Sequence, residues 1–510
     1  MQDLQLKSYQ EPKNLSEAKA VVKTVNTDMQ KMHANYLEQI KFIKQQYKLA
    51  LKQLRPDLIG SSTMKELFDE SEFHTDENIE IDIIEPGESK PKKKKKRSKK
   101  KKAIPDHLER KVVEHDLDDK SCPQDGVEMK CIGYDKKEEL VYTPAKYSVI
   151  EHRYAKYACK TCEEGVHRVP PKPKIIDSYA SNSLLSSICV KKFLHHLPLY
   201  RQEQIMARGG IHISRQVLSD WVIKIGNALE PLIKCLHQKI LENQVVHADE
   251  TPVRLLTKNG VRSSHQCYMW QLSRWGPNPL VYFKYDQTRK KEVAEELLGE
   301  YKGYVQIDGY GGYNILFGEN SPRKRVGCMA HVNRKFKDFL SLLDVSKRKD
   351  HSATEIRKLI KKLYKIEEPL KSLSSSERYE IRSKSDAKNI FDQLEDLISQ
   401  EIVQVAKSSP YYSALNYARK ELPYIKRYLE SGQVELDNNL AENAIRPFAL
   451  GRRNWLFICS ERGAQASANI YSLLISAKAN NLNPNDYLAK VFKELPQCRG
   501  KQDYEKLLPM

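Results

Sequence analysis

His247-Ala248-Asp249-Glu250-Thr251-Pro252 is the stretch that decides how this chain reads. Val245-Val246 precedes it, so Asp249 closes a short apolar run with strand character. Tyr304-Val305-Gln306-Ile307-Asp308-Gly309-Tyr310 repeats the arrangement and brings Asp308 to the end of a second run. Asp437-Asn438-Asn439-Leu440-Ala441-Glu442-Asn443-Ala444-Ile445-Arg446-Pro447 puts Glu442 in a helical pattern. Two strand-end aspartates and a helix glutamate can hold two divalent ions over a phosphodiester. Mg²⁺, or Mn²⁺, suits such hard oxygen ligands. In this reading Asp249 bridges both ions, Asp308 holds one and Glu442 the other. The chain has sixty-seven acids, so number alone proves nothing. Glu250 and Asp437 are the neighbours most easily confused with the trio, and the plainer reading makes each of the three a cap or a surface acid.

The bulk numbers agree with a nucleic-acid partner. With 510 residues the chain is too long for one ordinary core. Its net charge is +19, of which residues 90–102, with ten Lys and one Arg, carry +11 and the rest 19 − 11 = +8. That remaining basic bias suits a polyanion. A polar N-terminus and the lack of any long apolar run predict neither a signal peptide nor a membrane span. Ten Cys in such a chain read as thiols or a metal site more than as disulfides.

Residues 1–60 predict a coiled-coil helix, with apolar residues at Leu15, Ala18, Val22, Val25, Met29, Met32 and Tyr36, then again from Ile40 to Leu54. The alternative is a lone helix packed on the body. Residues 61–104 read as a linker: ten acids within 66–88, then the lysine tract, which would grip phosphates without sequence preference. Residues 105–173 form a small cysteine module. Cys159 and Cys162 have zinc-knuckle spacing, whereas Cys122 and Cys131 are too far apart, with Asp125 where a second thiol is expected. One structural Zn²⁺ therefore needs Cys131, Asp125 or a histidine to complete it; otherwise these are buried thiols. The other six Cys read as core.

Residues 174–241 predict helices with a helix-turn-helix outline: a helix to Arg208, a Gly209-Gly210 turn, and a helix capped by Ser214. Arg215 and Gln216 would then lie where base edges are read, unless this is an ordinary helical hairpin. Residues 242–465 alternate strands and helices, with a charged helical insertion over about 328–430; residues 466–510 are helical again. His331, Arg334 and Lys335 follow the second acid, and Arg446, Arg452 and Arg453 follow the third. All six are candidates for DNA contact, or for a solvated helix face.

The three acidic stretches closely resemble those of the insertion sequence 66 (IS66) family transposases, of the DDE class. The resemblance extends through Phe448-Ala449-Leu450-Gly451-Arg452-Arg453-Asn454-Trp455, and it includes His196-Leu197-Pro198-Leu199-Tyr200-Arg201-Gln202-Glu203-Gln204 and Cys328-Met329-Ala330-His331-Val332. It covers about residues 105 to 508. It implies an α/β, RNase H-like core, a mixed sheet flanked by helices and split by a helical insertion. It also implies a leucine-zipper-like N-terminal helix, a zinc-finger-like module, and Asp249, Asp308 and Glu442 as the metal-binding triad. The activity it implies is transposition: binding terminal inverted repeats, cutting them, and joining 3′-hydroxyls to target DNA. A homodimer or larger assembly, small accessory proteins and a cytoplasmic, nucleoid-associated bacterial setting follow from the same resemblance. Asp125 departs from the usual family cysteine. Two rival readings are a metal-dependent nuclease or resolvase that does not join strands, and a DNA-binding protein whose catalytic core has decayed.

Overall fold

Alternating apolar residues build the sheet; the strand that carries Asp249 runs further than its sequence signal, whereas the one before Asp308 stops at Gln306. The computed structural model describes residues 147–158, 166–168, 170–258, 261–318 and 320–510. The expected N-terminal helix, the linker and Cys122, Cys131, Cys159 and Cys162 lie outside those residues. The chain divides into two units. In the smaller, β1 (Lys156–Ala158) pairs antiparallel with β2 (Val166–Arg168), flanking the stretch that carries Cys159 and Cys162.

The larger unit begins with α1 (Asn182–Phe193), α2 (Leu199–Arg208), α3 (Arg215–Ala228) and α4 (Glu230–Leu241). Then come β3 (Val245–Lys258), β4 (Val261–Arg274), β5 (Leu280–Asp286), α5 (Lys291–Leu298), β6 (Gly303–Gln306) and β7 (Arg323–Val326). The sheet order is β5-β4-β3-β6-β7. The β3–β4 and β4–β5 pairs are antiparallel, whereas β3–β6 and β6–β7 are parallel. The strand expected over residues 245–249 thus continues to Lys258. Pro252 looks like a strand breaker, but β3 beyond His247 has a strand partner on one side only, where a proline is tolerated.

Successive residues face opposite sides of the sheet, and this splits the core in two. Val246, Val253, Leu255 and Val305 pack into one cluster with β4, β5 and the N- and C-terminal helices. Val245, Tyr304 and Val326 join the other, with the insertion. That insertion comprises α6 (Met329–Leu342), α7 (Val345–Arg348), α8 (Ser352–Glu367), α9 (Ser375–Lys384), α10 (Ala387–Ile402) and α11 (Pro410–Ile425). The chain returns to the sheet through α12 (Asn439–Trp455), α13 (Glu461–Ala479), α14 (Pro484–Glu494) and α15 (Lys501–Leu507). α13 therefore crosses the 465/466 boundary read from sequence.

α13 carries small residues where it meets its neighbours. The hydroxyls of Ser472 and Ser476 accept from the Phe283 and Val281 amides at 2.8 Å each, which satisfies outward N–H groups of the edge strand β5. A Cβ on Gly226 of α3 would come within 2.4 Å of Ala466, so the α3–α13 crossing requires glycine there. α2, the Gly209-Gly210 turn and α3 reproduce the expected outline, and the Ser214 hydroxyl accepts from the Val217 amide. Of the six cysteines read as core, Cys189, Cys235, Cys267 and Cys328 are buried. Cys459 is exposed and Cys498 partly so, because one sits in the turn after α12 and the other past the last residues of α14.

Candidate active site

The β3–β6 register brings the two aspartates together. Val245 pairs with Tyr304, Val246 with Val305 and His247 with Gln306. The same offset of 59 residues, carried two further, puts Asp249 beside Asp308 where the parallel pairing ends. Such an end of parallel strands is where α/β sheets usually place ligands. Asp249 Oδ1 accepts from the Glu250 amide at 2.9 Å, and Asp308 Oδ1 accepts from the Tyr310 amide at 3.0 Å. A Cβ on Gly309, between Asp308 and Tyr310, would lie 2.6 Å from the Tyr417 hydroxyl, so a larger residue there would have to displace that ring.

Glu442 arrives by a different route, and buried amides fix it. At the end of β6, Gln306 donates to the carbonyls of Glu435 and Asp437 at 2.8 and 2.9 Å and accepts from the Glu435 amide at 3.2 Å. Asn438, 1% exposed, donates to the Ala248 carbonyl at 2.9 Å and lies 3.1 Å from His247 Nδ1. Its own amide donates to Cys328 Sγ at 3.2 Å. The returning chain is thereby stitched to β3 and β6 just before α12, and Glu442 sits in the first turn of that helix. The sequence reading missed Asn438, His247 and Gln306 as positioning residues, although all three lie within the quoted stretches.

Hydrogen-bond partners set the lookalikes apart from Asp249. The Glu250 carboxylate accepts from Arg289 Nε at 2.7 Å, from a second Arg289 nitrogen and from the Tyr313 hydroxyl. Burial pushes its carboxyl up, and those bonds offset part of that. The Arg289 guanidinium also stacks 3.5 Å from the centre of the Tyr310 ring, whose hydroxyl donates to the Arg289 carbonyl. Asp437 accepts from the Tyr364 hydroxyl and from the amide and side chain of Asn439. Among the described residues no cation pairs with Asp249, nor with Asp437. Burial, then the charges of Glu250, Asp308 and Glu442, hold its carboxyl well above the ordinary range.

Glu442 has loose neighbours. His331 Nδ1 stands 3.6 Å and an Arg334 nitrogen 3.7 Å from its two oxygens. Among the described residues, Glu442 Oε1, His331 Nδ1 and the amide of Gln271, the residue opposite Asp249 on β4, lack hydrogen-bond partners. Donor atoms of Cys328, His331 and Glu442 lie within 4.8 Å of one another. Crowded acids with only the loose Arg334 contact on Glu442, beside unsatisfied polar atoms, suit a cation, although Asp249 and Asp308 do not fall within the 4.8 Å donor group.

The other sequence candidates fall into different settings. Arg215 and Gln216 are exposed on the first turn of α3. Arg334 and Lys335 are exposed on α6, and His331 is directed at Glu442. Arg446 is half-buried one turn after Glu442, and Arg453 is exposed. Arg452 is engaged within the protein: it donates to the Thr251 hydroxyl at 3.2 Å and to the Pro252 carbonyl, tying α12 to β3. Burial, then Arg453, lowers the pKa of its guanidinium.

No helix among the described residues is long and apolar enough to cross a membrane. The description "Transposase IS66 family" matches residues 177–466. "Zinc-finger binding domain of transposase IS66" matches residues 119–163, and "IS66 C-terminal element" matches residues 472–510. Two relatives from Sinorhizobium fredii, the uncharacterized proteins y4qI and y4jD, are each 30% identical. The first match covers 79% of this chain and 76% of the relative, the second 77% and 78%. The chain belongs to the IS66 family of transposases.

Proposed function

We propose that the chain is a DNA transposase that binds the terminal inverted repeats of its element, cuts the ends and joins their 3′-hydroxyls to target DNA. The observation that carries this is the shared β3–β6 register, which aligns Asp249 with Asp308 while the charge of Glu442 acts on the same Asp249 carboxyl. The sheet order, with three antiparallel and then parallel strands around β3, supports an RNase H-like core interrupted by the insertion.

Asp249, Asp308 and Glu442 would hold two Mg²⁺ or Mn²⁺ ions, which activate a hydroxyl or water and stabilise the departing oxygen in one in-line displacement. The protein's own groups keep those carboxylates in place. Asn438 and Gln306 fix the return to α12, and the Arg289–Tyr310 stack holds the Asp308 turn against β3. Arg215, Gln216, His331, Arg334, Lys335, Arg446, Arg452 and Arg453 are the candidate groups for the duplex, with His331 also facing Glu442 and Arg452 also bonded to the Pro252 carbonyl. Residues 119–163 support a structural Zn²⁺ with Cys122, Cys131, Cys159 and Cys162 as its candidate thiols. Two ends must meet, so a homodimer or larger assembly, joined through the N-terminal helix, belongs to this reading.

The test uses purified full-length protein, uncut and precut ends of the encoding element and a supercoiled plasmid target with Mg²⁺ or Mn²⁺. Joined products that disappear in Asp249→Asn support the proposal. Cutting without joining would make the chain a nuclease or resolvase. Binding without either reaction would make it a DNA-binding protein with a decayed core.

A further inference from the structure

α12 does not end in an ordinary cap. The Leu456 amide closes the helix onto the Arg452 carbonyl, and the Phe457 amide then donates to the Trp455 carbonyl at 2.7 Å. Leu456, at φ 61° and ψ −42°, is therefore the centre of a three-residue γ-turn of the rare positive-φ kind. A bulky L-residue is strained there, and such strain persists only when the surroundings enforce it. The enforcement is visible one residue on. The Ile458 amide donates to the Arg254 carbonyl at 2.8 Å and its carbonyl accepts from the Leu256 amide at 2.9 Å, which fastens the turn to the outer half of β3.

This rigid base projects two apolar side chains into solvent. Leu456 is 64% exposed and Phe457 39%. Their surroundings are cationic: Arg453 and Arg462 are exposed on either side in sequence, and Arg254 is exposed on the adjoining strand. Between residues 446 and 462 the one acid is Glu461, and it accepts from Gln287 at 2.9 Å. A second copy meeting this patch face to face would bring like charges together. A polyanion with a stacked apolar interior meets both features at once, and proteins use apolar wedges of this kind to part base steps.

We propose that Leu456 and Phe457 form a wedge that enters a base step of duplex DNA, with Arg254, Arg453 and Arg462 gripping the flanking phosphates. This rests on the reading of the chain as a DNA transposase and adds a contact outside the carboxylate site. Glu442 and Leu456 are fourteen residues apart on α12, about 21 Å at helical rise. The opened step therefore lies within roughly six base pairs of the phosphate held by the triad.

Permanganate oxidation of unstacked thymines tests the wedge, using the full chain bound to a duplex that spans the junction of the encoding element and its flanking DNA. The expected result is hyperreactive thymines within that distance of the cut. In a Leu456→Ala/Phe457→Ala variant the signal falls to background while duplex binding stays within about twofold, since phosphate contacts carry most of the affinity. Leu456→Gly should raise the melting temperature by relieving the turn and still lose most of the signal. Arg453→Ala should instead weaken binding and lower the salt dependence by about one counterion. Unchanged hyperreactivity in the double variant, or bound duplex with no hyperreactive thymine in the native protein, overturns the wedge. So does a double variant that changes oligomeric state while its footprint stays intact, which would make a second copy the occupant. A native chain that binds no duplex overturns the transposase reading itself.

Discussion

Asp249 and Glu367 are both acids largely withdrawn from water, and they keep opposite company. Burial raises the Glu367 carboxyl, but Arg382, Tyr428 and Arg378 more than offset this and hold it below the usual range. Arg382, fully buried, donates to both Glu367 oxygens and to the carbonyls of Tyr428, Ser431 and Val434. Asp249 is instead surrounded by Glu250, Asp308 and Glu442, which add to the effect of burial. The first arrangement is complete and rivets the insertion to the returning chain. The second gathers like charges that a cation would offset. Acid content alone separates neither; the identity of the neighbours does.

The largest effect should come from the site of like charges. Asp249→Asn should reduce DNA cleavage about a thousandfold or more, since several kcal/mol of charge stabilisation depend on the metal ligands. Duplex binding should persist in a gel-shift assay. The same change removes one of four crowded charges, so the metal-free variant should melt a few °C higher than the native protein. A variant that cleaves normally, or one that melts lower without metal, would break the contrast between the two regions.

The next effect belongs to the rivet. Arg382→Ala leaves Glu367 buried beside a single remaining arginine and takes a donor from three carbonyls, of which that of Ser431 keeps the Val434 amide, a loss of about 3–5 kcal/mol. Urea unfolding measures it. A loss under 1 kcal/mol would show that the insertion does not depend on this network. Because residues 431–438 lead straight into α12, a partial loss should also appear as a higher Mn²⁺ requirement for cleavage.

These two regions also differ in how far the sequence disclosed them. Asp249 and Asp308 were legible because each follows an apolar run that only a strand explains. Glu442 was legible through its helical pattern and its resemblance to the family. The extension of β3 to Lys258 was hidden by Pro252, whose tolerance depends on which side of the strand is unpaired. Arg452 reads as a candidate for DNA contact, and nothing in its spacing shows that it also meets the Pro252 carbonyl. The Arg382–Glu367–Tyr428 network is invisible in sequence: its members are 15 and 46 residues apart, and charged helices usually read as solvated faces. Positions set by local periodicity could be read; partners brought together by tertiary folding could not.

A smaller effect tests how the proposed catalytic acids are told from their neighbour. Tyr313→Phe removes a hydroxyl bond to the Glu250 carboxylate and should cost about 1.5–3 kcal/mol of stability. Arg289 would remain on Glu250, so cleavage at saturating Mn²⁺ should change little. If activity instead collapsed while stability held, Glu250 would be acting at the reaction centre and not as an internal anchor.

The smallest effect is in the acid limb of stability, where the two regions should respond with opposite sign. Glu367 has a folded-state pKa below its unfolded one, so its contribution is present above the ordinary glutamate pKa of about 4.3 and is lost as pH falls through the folded value. Glu367→Gln should flatten the metal-free stability curve in that acid range. Asp249 is raised, so its ionisation opposes folding: the protein is favoured below the ordinary aspartate pKa, and that advantage fades as pH rises through the raised value. The melting advantage of Asp249→Asn should therefore be full at alkaline pH and shrink toward zero in acid. Melting scans of both variants against the native chain, with chelator present, give the two slopes directly. Slopes of the same sign would mean that the acids around Asp249 are already neutralised by the protein, leaving no charge for a metal ion to answer.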